Sequence, residues 1–94
     1  MRQRITRIIR ATVRRSGQYF DSHFIIGQLI KRYPNDYFRF ISDFVGGTRR
    51  GTLAAAHGKI AQEIGQTGLA VKSGDSVSVD ICGNPAKCAL WRRT

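Results

Sequence analysis

The residues that could support acid–base catalysis are few and far apart. The chain of 94 residues has two histidines and six acidic residues, and several of the acids occupy predicted helix caps or turns. General acid–base catalysis needs a histidine or carboxylate beside another polar group in a pocket. The best remaining pair, His57 and Glu63, falls on different faces of a predicted helix. We therefore expect no enzymatic activity and no cofactor.

The two cysteines, Cys82 and Cys88, are too few for a disulfide framework. In an intracellular protein they would be reduced and partly buried. A disulfide across a hairpin stays open, because the two residues would face each other there. No Cys-x-x-Cys pair accompanies His23 and His57, although zinc sites commonly use that spacing. We expect no metal site, and we expect His23 to be a surface residue.

The chain is strongly basic. Sixteen Lys and Arg residues against six acids give a formal net charge of +10, which favours a polyanionic partner. Arginine outnumbers lysine by twelve to four, and the guanidinium group suits contacts with phosphate and base edges. No apolar run approaches the ~20 residues that span a bilayer, and no secretory signal pattern is present. We expect a cytoplasmic, nucleoid-associated protein with no membrane partner.

Residues 48–65, TRRGTLAAAHGKIAQEIG, predict a short basic loop that leads into a helix of small residues. Thr52 is a natural N-cap beside Arg49 and Arg50, and Gly65 is a natural C-cap. A helical projection places Leu53, Ile60, Ala61 and Ile64 on an inward face and Ala55, Gly58, Lys59 and Gln62 on the opposite face.

The outward face of this predicted helix lacks the Glu and Arg pairs that are typical of a solvated helix. Small residues let a backbone approach a groove closely, and Lys59 and Gln62 can then reach phosphates and base edges. We interpret the segment as a helix that enters a DNA groove. The alternative interpretation is a buried alanine-rich helix packed against a neighbouring element.

Residues 2–16 predict an amphipathic helix. Its apolar face consists of Ile5, Ile8, Ile9, Thr12 and Val13, and its other side carries Arg4, Arg7, Arg10, Arg14 and Arg15, with Arg2 at the edge. No acidic residue lies within the helix, so these charges have no partner one turn away. We expect contact with phosphate or with an acidic protein, and the alternative is a solvated face. Gly17 ends the predicted helix.

Two further helices and a short strand complete a single predicted domain over residues 1–94. The strand is Gln18–Phe20, and the next helix is capped by Asp21 or Ser22 and runs to about Arg32. Its inward residues are predicted to be Phe24, Ile25, Leu29 and Ile30. Pro34 ends this helix, and Asn35 or Asp36 caps a third helix, Tyr37–Val45, whose many aromatic residues predict a core position.

The C-terminal third predicts a β-hairpin. Ser73–Asp75 is a predicted turn after a short apolar segment, and Val77–Cys82 alternates with the period of two that indicates a half-buried strand. Gly83–Ala86 is the hairpin turn, and Lys87–Trp91 is the returning strand, with Trp91 in the core. The tip is expected to offer free backbone N–H groups.

The order of helix, short strand, three helices and terminal hairpin resembles the winged helix-turn-helix superfamily with an extra helix. The segments that carry the resemblance are Tyr19–Phe20, Leu53–Ile64 and Val77–Trp91. The implied fold is mostly α, with about four helices, a short strand and a C-terminal β-hairpin as the wing. In such domains a recognition helix enters the major groove, and the wing touches the backbone or the minor groove.

The resemblance implies a set of DNA-contacting residues. Ala55, Lys59 and Gln62 would face bases, Arg49, Arg50 and Thr52 would hold phosphate at the helix N-terminus, and Asn84 and Lys87 would lie at the wing tip. The basic residues Arg7, Arg14, Arg92 and Arg93 are also predicted contacts. A second register places the supporting helix at 59–64 and the reading helix at 66–72.

The function expected from these features is sequence-specific or architectural binding of double-stranded DNA by a small transcriptional regulator. If its sites are palindromic, we expect a homodimer that uses the first helix or the hairpin edge. RNA binding is an alternative, because exposed arginines suit an RNA groove equally well. A basic protein-interaction module that binds an acidic partner is the third alternative.

Overall fold

Four helices and a three-stranded antiparallel sheet make up most of residues 1–46 and 51–94, which are the residues that the structure, a computed structural model, describes. The elements are α1 (Arg2–Thr12), β1 (Tyr19–Asp21), α2 (Ser22–Arg32), α3 (Pro34–Ser42), α4 (Thr52–Gln66), β2 (Ala70–Val79) and β3 (Pro85–Arg93). The strand order is β1-β3-β2. The predicted strand and hairpin therefore join in one sheet, and the domain is α+β. Within the described ranges, no helix is both long enough and apolar enough to cross a membrane.

The hydrophobic core is built around the apolar face of α1. Ile5, Ile8 and Ile9 are completely buried, as the amphipathic pattern predicted, and they belong to the same cluster as Leu29 of α2 and Ile60 of α4. The helix ends at Thr12 rather than near residue 16. The chain from residue 13 turns towards β1 instead, and the Gly17 N–H donates to the Arg93 carbonyl oxygen at 2.7 Å.

The second helix begins where the sequence predicts. Asp21 is its N-cap, and the Asp21 carboxylate accepts a hydrogen bond from the Phe24 N–H at 2.9 Å. This cap satisfies one of the backbone donors that a helix start leaves unpaired. Phe24 itself was predicted to point inward, but it is 40% exposed. Ile26 takes the buried position instead.

The third helix begins at Pro34, three residues before the predicted start. Proline is well tolerated in the first turn of a helix, where its missing N–H has no intrahelical acceptor. Tyr37 is buried in the core, and Phe40 and Ile41 pack against it. Phe38 is 62% exposed, and Val45 lies beyond the helix and is 69% exposed. The predicted core position is therefore confirmed for one side of the helix and not for Phe38 or Val45.

β2 is one continuous strand that pairs with β3 along its whole length. The predicted turn at Ser73–Asp75 is a β-bulge, since the register shifts between Lys72 and Gly74. A bulge inserts an extra residue without ending a strand. In sequence it has the same Gly-containing polar signature as a turn.

β2 presents its valines to solvent, whereas a half-buried strand usually turns its apolar residues towards the core. Val77 and Val79 are 72% and 62% exposed, whereas Ser76 and Ser78, which alternate with them, are partly buried. The serines face the start of α2: the Ser76 hydroxyl donates to Asp21 at 3.1 Å, and the Ser78 hydroxyl lies 2.7 Å from His23 Nδ1. Polar groups on α2 thus decide the inward face of the strand.

Trp91 joins the sheet to the helices. Its side chain is 6% exposed, and its indole N–H donates to the Ser22 hydroxyl at 2.9 Å. The indole ring also lies against Gly65 of α4, where an added Cβ would be 3.2 Å from the ring. Phe20 is the partner of Trp91 in the β1–β3 register. The predicted core position of Trp91 is confirmed.

Replacing Ser22 by Ala should lower the free energy of unfolding by about 1–3 kcal/mol, because it leaves a buried indole N–H without an acceptor. Urea denaturation measures this change. Ser42→Ala is the matched control, since Ser42 is exposed and should change stability by less than about 0.5 kcal/mol. Equal effects of the two substitutions would contradict the role given to Ser22.

Candidate nucleic-acid interface

The ends of α4 differ from the predicted caps. Gly51, with φ of +87°, occupies the N-cap position, so Thr52 is the first helical residue rather than the cap. Gly65 lies inside the helix, which ends at Gln66 with Thr67 as C-cap. Arg49 and Arg50, the predicted phosphate contacts before the helix, lie outside the described residues.

The second predicted register is excluded. Residues 66–72 do not form a helix: they include the last residue of α4, a turn and the first residues of β2. The helix that precedes the hairpin is therefore α4 itself.

The inward face of α4 is narrower than predicted. Ala56, Ile60 and Ile64 are completely buried, but Leu53 is 39% exposed. Gly58 was predicted to face outward with Lys59. It lines a cleft beside the hairpin together with Ala54 and Ala61, so packing towards the hairpin accounts for much of the small-residue character.

The open outer face of α4 is formed by Lys59 and Gln62, which are exposed, and by Ala55, which is partly buried. Ala55 lies one turn closer to the start of the helix than Lys59. Lys59 lies 3.8 Å from the Glu63 carboxylate one turn along the helix. The amide of Gln62 has no hydrogen-bond partner among the described residues. This face can therefore offer one ammonium group and one amide to a ligand.

Arg2 links α1 to this face of α4. Its Nε donates to the Glu63 carboxylate at 2.7 Å, and its Nη2 donates to the Gln66 amide oxygen. The hydrogen bond from Arg2 lowers the pKa of Glu63, and the charges of Arg2 and Lys59 act in the same direction although partial burial opposes them. The start of α1 is thereby fixed beside the C-terminal end of α4.

Of the other arginines on α1 and just after it, Arg4 makes structural contacts and the rest are exposed. Arg4 donates to the Asp36 carboxylate at 3.0 Å and lies over the Tyr33 ring at 4.9 Å. Although α1 contains no acidic residue, Arg2 and Arg4 both have carboxylate partners, which lie on α4 and α3. Within the described ranges, the exposed residues that have no ion pair include Arg7, Arg10, Arg14 and Arg15.

The hairpin tip is closed by its own carboxylate. Asp80 accepts hydrogen bonds from the backbone N–H groups of Cys82 and Asn84 at 2.9 and 3.0 Å, and the Gly83 N–H donates to the Asp80 carbonyl oxygen at 3.1 Å. The predicted free N–H groups are therefore occupied. Lys87 lies 3.3 Å from the Asp75 carboxylate, while Asn84 is exposed.

The base of the hairpin is distant from its tip. Seven residues separate Pro85 from Arg92 along β3, which corresponds to about 23 Å at ~3.3 Å per residue. Arg93 donates to the carbonyl oxygens of Val13 and Leu69 at 3.0 and 3.2 Å, so its guanidinium holds the chain together. The predicted contact residues Arg14, Arg92 and Arg93 thus lie at the end of the hairpin opposite Asn84.

A cleft of about 360 Å³ lies between α4 and the hairpin, bordered by the start of α2. Both histidines and both cysteines of the chain line this α4–hairpin cleft: His23, His57, Cys82 and Cys88. Cys88 lies opposite Ser76 in the β2–β3 register, and Cys82 lies in the turn beyond the last strand pair. They are free thiols and do not face each other, so the disulfide left open by the sequence does not form.

The histidines of the cleft are each held by a hydroxyl group. Ser78 lies 2.7 Å from His23 Nδ1 and 3.8 Å from the Cys88 sulfur, and the Tyr37 hydroxyl lies 2.7 Å from His57 Nε2. His23 is thus partly buried in a polar contact rather than a simple surface residue. No group of three or more His, Cys, Asp or Glu side chains in the described ranges is arranged to hold a metal ion.

Sequence reasoning missed the α4–hairpin cleft. Its lining comes from α2, α4 and the hairpin, and no local spacing relates His23 to Ser78 or Tyr37 to His57. The chain has only two histidines and two cysteines, and the structure places all four in this cleft. Their small number is the only feature of the sequence that draws attention to them.

Comparisons with known proteins identify no relative: no protein-family model, no curated protein sequence and no solved structure matches this chain.

Lowering the pH should destabilise the fold through His57. Burial lowers the pKa of His57, the nearby His23 charge adds to the effect, and Asp80 opposes it. In the unfolded chain, His57 therefore takes up a proton near pH ~6.5, whereas in the folded chain it takes up this proton only at lower pH. Stability falls as the pH drops through this interval.

Urea denaturation at about pH 7.5 and about pH 5.5 tests this linkage. His57→Gln removes the titrating group, so the variant should lose less stability between the two pH values than the original chain does. Identical losses would contradict the assignment.

Proposed function

We propose that this chain is a non-enzymatic double-stranded DNA-binding domain of the winged helix-turn-helix type, acting in the cytoplasm as a small regulator or architectural protein. The observation that carries the proposal is the open outer face of α4. This face lies between the arginine-bearing helix α1 and the hairpin, in a chain with a net charge of +10.

The connectivity of the sheet supports this proposal. A winged domain needs its hairpin fixed beside the helix that enters the groove. Here β1 pairs with β3 and not with β2, so the strand between α1 and α2 anchors the hairpin to the helical core. α4 is the helix that directly precedes the hairpin, and α3 is the additional helix.

The dimensions of α4 support groove entry. Ala55 and Gln62 are seven residues apart, or about 10 Å along a helix, and the major groove is about 12 Å wide. The small side chain of Ala55 permits close approach. Lys59 then contacts phosphate or a base acceptor, and Gln62 supplies the amide that pairs best with adenine.

Lys59 keeps one internal contact, at 3.8 Å from the Glu63 carboxylate. The further phosphate contacts are assigned to exposed cations that have no ion pair among the described residues. Arg7 and Arg10 are exposed on α1, which the Arg2–Glu63 ion pair holds beside α4. Arg49 and Arg50 remain proposed contacts before α4, with Thr52 in its first turn and Asn84 at the hairpin tip. The Arg93 guanidinium is occupied by backbone carbonyl oxygens, and Arg14 and Arg92 lie at the base of the hairpin, so we assign these three residues no contact with the same duplex.

Removing two phosphate contacts should reduce the salt dependence of binding. For Arg7→Ala combined with Arg10→Ala, the slope of log affinity against log salt should become shallower by about 2, because each neutralised phosphate contributes about 0.9. Fluorescence anisotropy with a mixed-sequence duplex at several salt concentrations gives the slope.

Arg14→Ala combined with Arg92→Ala is the matched control, since it removes the same charge from two exposed residues at the base of the hairpin. Its slope should stay close to that of the original chain. Equal slopes for the two double variants would mean that net charge alone drives binding, and the proposed surface would be wrong.

The same assay separates the classes of partner. Lys59→Ala combined with Gln62→Ala should reduce discrimination between duplex sequences while leaving the salt slope changed by at most about 1. A structured RNA of similar length should bind less tightly than duplex DNA, since the deep, narrow major groove of A-form RNA excludes a helix. Tighter binding of the RNA would favour the RNA-binding alternative.

A further inference from the structure

We propose that the α4–hairpin cleft binds a flat heteroaromatic ring with the chemistry of a purine base. The cleft has a volume of about 360 Å³, which is in the range of small-molecule sites. The inference concerns a different surface from the outer face of α4, so it does not require that α4 enters a DNA groove.

The walls of the cleft suit a flat ligand. The α4 side presents Ala54, Gly58 and Ala61, and the β3 side presents Ala86 and Ala89. Side chains this small on α4 and β3 leave space between the two elements and make its walls apolar there. A planar ring fills such a gap and contacts both walls through its faces, which gains dispersion energy over its whole area.

The polar groups of the cleft suit the edge of a heterocycle. His23 and His57 each use one ring nitrogen in a hydrogen bond, to Ser78 and to Tyr37. The second nitrogen of each ring has no partner among the described residues. A neutral imidazole has one donor and one acceptor position, and the ring nitrogens and exocyclic groups of a purine can pair with either. A purely apolar ligand would leave both unused.

The charge of the whole chain favours a nucleotide over an uncharged heterocycle. The chain carries a net charge of +10, whereas the cleft lining, within the described ranges, contains one cation, Lys87, which lies 3.3 Å from the Asp75 carboxylate, and one carboxylate, Asp80. A phosphate attached to the ring would be drawn towards this surface. The ring could belong to a free nucleotide or to an unpaired base in a nucleic-acid strand, and both sources present the same chemistry to the cleft.

Titration of the full chain with adenosine, adenosine monophosphate and ribose 5-phosphate tests the proposal. Methyl chemical shifts of Ala54, Ala61 and Ala86 are the readout. Both adenosine compounds should produce saturable shifts at these methyl groups, and ribose 5-phosphate should not. Absence of a saturable shift with adenosine, or equal shifts with ribose 5-phosphate, would overturn the proposal.

A substitution that fills the cleft provides the second test. Ala86→Phe should weaken adenosine binding at least about tenfold, because its ring occupies the space of the ligand. Val77→Phe is the matched control, since it adds a similar ring at an exposed position of the same hairpin and should leave adenosine binding unchanged. Thermal melts establish that both variants fold. Unchanged adenosine binding by a folded Ala86→Phe variant would contradict the site.

Two further measurements identify the source of the ring and distinguish the cleft proposal from the DNA-binding proposal. Displacement of a single-stranded oligodeoxyadenylate by adenosine indicates a base from a strand, whereas binding of adenosine monophosphate without such competition indicates a free nucleotide. Duplex affinity, measured on the same samples, should stay unchanged in Ala86→Phe. Duplex binding without adenosine binding overturns only the cleft proposal, and the reverse result overturns only the DNA proposal.

Discussion

The buried contact between Trp91 and its neighbours determines the arrangement of the whole domain. The indole N–H binds Ser22 at the start of α2, the ring packs on Gly65 of α4, and Phe20 lies opposite in the sheet. Because a side chain at position 65 would crowd the ring, glycine there sets how closely α4 approaches the sheet. The hairpin is therefore fixed beside α4, and this placement creates both the open outer face of α4 and the cleft.

Internal ion pairs decide which of the many cations are available to a partner. Arg2, Arg4, Lys59, Lys72 and Lys87 each lie near a carboxylate, and Arg93 holds backbone carbonyl oxygens. Five of the six acids are correspondingly committed to a helix cap, to ion pairs or to the hairpin turn: Asp21, Asp36, Glu63, Asp75 and Asp80. The exposed arginines that remain in the described ranges lie mainly on α1, in the segment after it and at the base of the hairpin. Because the Arg93 guanidinium donates to the Val13 carbonyl oxygen just beyond α1, the end of α1 lies beside the base of the hairpin and these basic areas adjoin each other.

Features that depend on neighbouring residues could be predicted from the sequence, and features that depend on distant contacts could not. The apolar period of α1 and the Asp21 cap are local signals, and both were confirmed. The period of two indicates a half-buried strand but not which of its faces is inward; Ser76 and Ser78 face inward, where they contact Asp21 and His23, 55 residues away. The sequence places Gly58 on an outward face that would meet a DNA groove, because it gives the common face of Ala55, Gly58 and Lys59 but not that Gly58 borders the cleft beside the hairpin. The cleft is lined by three elements that are far apart in the sequence, so no local sequence pattern predicts it.

Mapping of backbone amide chemical shifts during titration with a mixed-sequence DNA duplex tests whether the outer face of α4 contacts DNA. We expect the largest changes at Ala55, Lys59 and Gln62, with smaller changes at Arg7 and Arg10 and none at Arg92. Changes concentrated at Arg14 and Arg92, with the α4 amides unmoved, would contradict the proposed interface.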